Sequence, residues 1–186
     1  MRDTPKRLSH LTLFLHWTVG LGFLAVLAVG FYMKSTATFA LYPLHKSFGV
    51  LLFALVMARV VWRVINGFPT EMGQHQPWEH TLARVVHWVL LIGTLLMPLS
   101  GMLMSIMGGS GLQLFGLELW PNNPMPEVPG RNLPLNPALT RFARSMHGIV
   151  AWAMVVAIAL HVAAAFKHHF IDRDGTLSRM LGKRLL

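Results

Sequence analysis

Ser145–Phe166 reads SMHGIVAWAMVVAIALHVAAAF, an apolar run with no Asp, Glu, Lys or Arg. As a helix it covers about 33 Å at about 1.5 Å per residue. That is enough to cross a hydrocarbon layer of about 30 Å. Two histidines interrupt it, His147 and His161. Their spacing places them about 21 Å apart along the axis and about 40° short of four full turns, so they share one face. Ionisable groups at membrane depth are costly and usually functional. Two imidazoles pointing the same way near opposite rims suit two stacked metal cofactors.

Three further apolar segments are long enough to span: about Leu11 to Met33, His45 to Ile65 and Leu82 to Met107. The expected architecture is therefore an all-α, integral-membrane four-helix bundle in a single domain, residues 1–186, with spans at about 11–33, 45–65, 82–107 and 145–166. The first span is read as retained, because no small-residue cleavage site follows it. Thr4-Pro5, Gln76-Pro77 and Asn136-Pro137 look like helix starts, where Pro is tolerated in the first turn. The connection 108–134 carries five prolines and is expected to be mostly irregular.

Composition agrees. The chain is 54% hydrophobic and 12% charged, about half the charge of an ordinary soluble domain. Mean hydropathy is +0.51. The net charge of +9 would suggest nucleic acid in a soluble protein. Here the cations flank apolar runs, so anionic lipid is the expected partner and nucleic acid is not. With no cysteine, disulfides, Cys-ligated zinc, iron–sulfur clusters and covalently attached haem are excluded. The twelve methionines sit mostly singly in apolar runs and read as packing. With both termini inside, eleven of the sixteen Lys and Arg lie on the inner side. The excess of inner cations favours cytoplasmic termini.

That topology assigns depths. His16 lies near the inner end of the first helix and His45 at the outer end of the second. His147 lies near the outer end of the fourth and His161 near its inner end. The depth pairs are His16 with His161, and His45 with His147, and each pair suits the axial positions of one haem iron. One turn after each stands a small residue, Gly20, Gly49, Ala151 and Ala165, where a macrocycle edge needs room. His87, in the inner part of the third helix, is a rival ligand or a buried histidine bonded to a haem propionate or a neighbouring helix. His168 and His169 follow the fourth span beside Lys167. They form either a basic collar at the membrane surface or a quinone and proton-transfer site, since histidine titrates near neutral pH. His10, His75 and His80 read as surface residues.

Several stretches together resemble the bacterial cytochrome b561 family of di-haem membrane cytochromes. They are LHW around His16, HKSFGVLLFALVMARVVWRV from His45, PLSG at 98–101, and HGIVAWAMVVAIALHVAAAFKHHFIDRDGTLSRM from His147. The resemblance spans nearly the whole chain and implies a bacterial inner-membrane protein. It implies that His16, His45, His147 and His161 ligate two haem b groups. It further implies electron exchange with membrane quinone, ubiquinone being the expected substrate. In some members superoxide is oxidised at the outer face and ubiquinone reduced at the inner side. The alternative is a haem-b electron-transfer subunit serving a separate dehydrogenase, hydrogenase or periplasmic donor protein, without catalysis of its own. A transporter or a purely structural protein is disfavoured by the histidine pairs.

Overall fold

In a computed structural model of the chain, residues 2–67 and 76–185 are described. His75 lies outside them. Four long helices, each apolar and long enough to cross a membrane, form the body. They are α1 (His10–Thr36), α2 (Tyr42–Asn66), α3 (Pro77–Met107) and α4 (Pro137–Lys167). The architecture is the all-α membrane bundle that the apolar runs imply.

Each helix start has a local cause. Ser9 caps α1 by accepting the Thr12 N–H on its hydroxyl. Thr4-Pro5 does not begin a helix. It lies in a tight turn closed by Thr4 N–H to Arg7 O at 2.8 Å and Arg7 N–H to Thr4 O at 3.3 Å. The residue that can cap, Ser9, comes later. A 3₁₀ turn at Phe39–Leu41 leads into α2, with Pro43 in its first turn. Gln76 and Glu79 form a reciprocal capping box on α3, with Pro77 at the first helical position. Asn136 caps α4, its Oδ1 accepting the Leu139 N–H at 3.0 Å, again with Pro137 first. Beyond α4 a π turn (His168–Asp172) and a short helix α5 (Thr176–Met180) turn the chain back.

The shared core is narrow. It comprises Val19, Phe23 and Leu27 of α1, Leu52 and Val56 of α2, and Val150, Ala151 and Met154 of α4. Large apolar side chains such as Phe14, Val64, Trp88, Ile149 and Val156 point outward. Such a surface is stable facing lipid, since nearly all backbone groups of the helix interiors are bonded within their own helix. The most extensive helix pair is α3–α4, whereas α1 and α2 meet α4 at few backbone positions. The close pair is explained by Gly93, where any Cβ would overlap the Met154 side chain. The wider gap is bridged by side chains, among them the Phe31 and Trp152 rings at 4.9 Å.

The connection 108–134 differs from the expected irregular loop. It contains an antiparallel hairpin of β1 (Leu112–Leu114) and β2 (Leu117–Trp120), with Gln113 opposite Glu118 and Leu114 opposite Leu117. Its turn residues Phe115 and Gly116 have φ of 49° and 92°, the positive values that two-residue hairpins favour. Phe115 tolerates this because α2 holds it. Its N–H donates to Ser47 Oγ at 2.9 Å and its ring meets Phe48 edge-on at 5.2 Å. Prolines 121 to 134 mark the rest of the loop; they lie beyond the hairpin and hide it in the composition.

Candidate functional site

The bundle brings the histidines together in two layers. The His16 and His161 ring centroids are 6.3 Å apart. Those of His45 and His147 are 6.4 Å apart. Both pairs bridge α4 to a helix whose backbone stands off from it, His16 on α1 and His45 on α2. The residues fit a haem iron by a simple length argument. Two imidazoles sharing one metal, each at about 2.0 Å from it, would stand with ring centres about 6 Å apart. The His87 ring centre is 5.5 Å from that of His161, closer than trans ligands of one iron stand.

The layer of His45 and His147, outer in the topology expected from the cation count, is held by neutral hydrogen bonds. His147 Nδ1–H donates to Met97 O at 3.0 Å, a carbonyl having no proton to give. Ser100 Oγ lies 3.1 Å from the same nitrogen and also donates to Met97 O at 2.9 Å. That fixes the tautomer and leaves Nε2 for a metal. Two glycines set the space around the rings. A Cβ at Gly101 would come within 3.1 Å of His147 Cε1, and one at Gly30 within 3.2 Å of His45 Cε1. Glycine in a helix interior costs about 1 kcal/mol relative to Ala, and at these positions the room for a ring offsets it. Both sit on helices neighbouring the ring they touch, so same-helix spacing does not reveal them. Of the glycines expected beside ligands, Gly20 and Gly49 have nothing within 4 Å of a built Cβ, so each leaves space for a planar edge. Above this layer the hairpin is tied down by Lys46 Nζ donating to Ser110 O at 3.1 Å and by Ser47 Oγ donating to Gln113 O at 3.3 Å.

The inner layer is surrounded by charge. Arg59 of α2 places Nη2 3.3 Å from His16 Nδ1. Its neighbour one turn on, Arg63, pairs instead with Asp3 at 3.3 Å. The Asp3 carboxylate also accepts the Ser9 N–H at 2.7 Å and the Thr12 hydroxyl at 2.9 Å, while Trp62 Nε1 donates to that hydroxyl at 2.8 Å. Burial pushes the Asp3 carboxyl up, but the Ser9 and Thr12 hydrogen bonds and the Arg63 charge outweigh it and hold it below its ordinary value. The two chain ends meet here. Arg179 Nη1 donates to Pro5 O at 3.0 Å, Leu185 N–H to Lys6 O at 3.1 Å, and Trp17 Nε1 to Met180 O at 2.9 Å.

His168 and His169 fall in the π turn just past α4. His168 Nδ1 lies 2.9 Å from Asp172 Oδ2 and 3.2 Å from Asp174 Oδ2. Lys167 Nζ bridges Asp172 and Glu79, both at 2.9 Å, tying α4 to the start of α3. His169 makes an edge contact with Phe170 at 4.8 Å. Thus His168 sits in an ion-pair network, while His169 does not share its carboxylates. Of the remaining histidines, His10 is exposed beside Arg7, and His80 is half-buried in the first turn of α3. Sequence reasoning missed Arg59, Met97, Ser100, Gly30 and Gly101 as neighbours of the rings. Only PLSG, quoted for its resemblance, carried a trace of two of them.

A four-span bundle with facing histidines at two depths is the architecture of a membrane cytochrome. The chain belongs to the prokaryotic cytochrome b561 family, whose sequence profile matches residues 7–183. It is 33% identical to cytochrome b561 homolog 2 of Escherichia coli K12, over 97% of this chain and 94% of that one. It is 25% identical to cytochrome b561 homolog 1 of the same organism, over 96% and 99%. It is 28% identical to a Yersinia pestis protein named probable superoxide oxidase CybB, over 96% and 98%. Members of this family bind b-type haem and transfer electrons, and the chain is a membrane protein.

Proposed function

We propose that the protein holds two b haems, an inner one on His16 and His161 and an outer one on His45 and His147, and carries electrons from an outer-face donor to membrane quinone. The observation that carries this is the pair of ring separations, 6.3 and 6.4 Å, each the distance one iron requires. Bound b haem supplies a one-electron couple at each layer. The chain's own part is to fix the ligand rings, keep both layers inside the lipid-facing bundle and handle protons at the inner rim. Ubiquinone is the proposed acceptor. Its reduction consumes protons, which His168, beside Asp172 and Asp174, and His169 would deliver in this reading.

Superoxide is the proposed donor, a reading supported by the name of the Yersinia pestis relative and by the proposed outer cations Lys34, Lys46, Arg131, Arg141 and Arg144, which draw small anions. Orientation follows the cation count, with both termini cytoplasmic in a bacterial inner membrane. Stopped-flow reduction of the haems by superoxide, with and without ubiquinone, tests the reading. Rapid haem reduction followed by quinone-dependent reoxidation is expected. Inert haems that respond only to an added periplasmic, dehydrogenase or hydrogenase partner would make the chain a carrier subunit. A C-terminal reporter active only in the cytoplasm checks the orientation.

A further inference from the structure

The two histidine layers match in ring separation and differ in charge. In the inner layer Arg59 is a half-buried cation 3.3 Å from His16 Nδ1. Among the described residues no carboxylate pairs with it, since Asp3 is taken by Arg63. Arginine stays protonated under all ordinary conditions, so its charge is permanent. A cation held half-buried in an apolar bundle against a ring is expensive and calls for a compensating use. A ligating His16 carries its proton on Nδ1 and cannot accept from the guanidinium. Arg59 then acts on the site through its charge rather than through that hydrogen bond.

The outer layer has the opposite bias. His147 Nδ1–H gives its proton to Met97 O at 3.0 Å, beside Ser100 Oγ. Such donation makes the ring a more basic ligand and favours the oxidised metal. The cation next along from His45, Lys46, is engaged with Ser110 O of the hairpin.

We propose that Arg59 makes the inner haem the stronger electron acceptor of the two, so that the bundle passes electrons from the outer layer to the inner one and resists the return. This rests on the two-haem reading above. With both haems bound, the step would move one electron, oxidising the outer haem by one electron and reducing the inner by one, with no bond or proton exchanged. A unit charge within about 10 Å of a redox centre, at an effective dielectric of about 20, would shift a one-electron equilibrium by roughly tenfold or more, and tenfold is about 59 mV.

The test is a potentiometric titration of the purified haem-loaded protein, followed by absorbance, with haem counted per chain. Wild type should show two midpoints. Arg59→Gln should lower the higher one by about tenfold, about 59 mV, and leave the lower one within about twofold. Arg59→Lys keeps the charge and should keep the higher midpoint. In His147→Ala, the surviving haem should show the higher midpoint. If Arg59→Gln loses one haem, the surviving haem should show the lower midpoint and Arg59→Lys should keep both midpoints; loss of the haem in both variants overturns the proposal. Unmoved midpoints in Arg59→Gln, movement of the lower one alone, or equal shifts in Gln and Lys variants also overturn it. Fewer than two haems per wild-type chain would break the two-haem reading instead, a result visible before any variant is titrated.

Discussion

The outer and inner layers place two imidazoles at nearly the same separation and enclose them by different means. In the layer of His45 and His147 the groups against the rings are uncharged: a backbone carbonyl, a serine hydroxyl and two glycines, with the Lys46 ammonium directed to the loop instead. In the layer of His16 and His161 the surroundings are charged: Arg59 beside the ring, Asp3 with Arg63, and Lys167 with Glu79 and Asp172. Under the proposed function the shared length is the one that a metal between two rings would demand. The surroundings are not so constrained, and they are where one layer can be made to behave unlike the other.

The largest effect expected is loss of a layer. His147→Ala or His45→Ala should remove the outer haem and keep the inner one, and His16→Ala or His161→Ala should do the reverse. Haem per chain then falls from two to one. A His87→Ala variant that loses a haem while His16→Ala keeps both would redraw the inner pair. Next comes space. Gly101→Val forces a branched side chain against a ring already within 3.1 Å of the Cβ position. It should deplete the outer haem severely and spare the inner one, as the absorbance of the purified variant will show.

A third experiment probes only the inner rim. His168→Ala should slow quinone-dependent reoxidation by about 100-fold if it is the positioned proton donor, while both haems stay bound. An unchanged rate would return His168 to a structural role in the ion-pair network. Smaller still, Ser100→Ala removes one acceptor from His147 Nδ1 and should raise only the lower midpoint, by less than tenfold, in the same titration that tests Arg59.

The smallest effect concerns pH. The Asp3 carboxyl is held below its ordinary value in the folded protein. Its stabilisation is therefore fully present above the unfolded value near 4 and is lost as pH falls through the lower folded value. Wild type should unfold at a temperature a few degrees above that of Asp3→Asn at pH 6. The gap should close as pH is lowered below 4, as thermal scans in detergent would record. A gap independent of pH would mean that Asp3 acts by shape rather than charge.

The four helices were legible because each is a long apolar run with a local start signal, as at Gln76-Pro77 and Asn136-Pro137. The pairing of the histidines by depth was legible because a helix converts residue number into height. The Thr4-Pro5 reading failed because a proline permits a helix start without supplying a cap, and Ser9 supplies one. The hairpin was missed because Phe115-Gly116 lacks the usual turn residues and depends on Ser47 and Phe48, remote in sequence. Gly30, Gly101, Ser100 and Arg59 were missed for a related reason: each touches a ring on a different helix.

What the sequence by itself determined is the one-dimensional layout: how many spans, which cations flank them, and at what height each histidine stands. Hydrophobic length and helical rise act along a single chain segment, so they can be read from that segment alone. Which ring faces which at 6.3 or 6.4 Å, and what stands behind each ring, was decided only by the tertiary structure. Rotation and separation of neighbouring helices are set by contacts between them, such as Met154 seated on Gly93, and such contacts exist only once the bundle has packed.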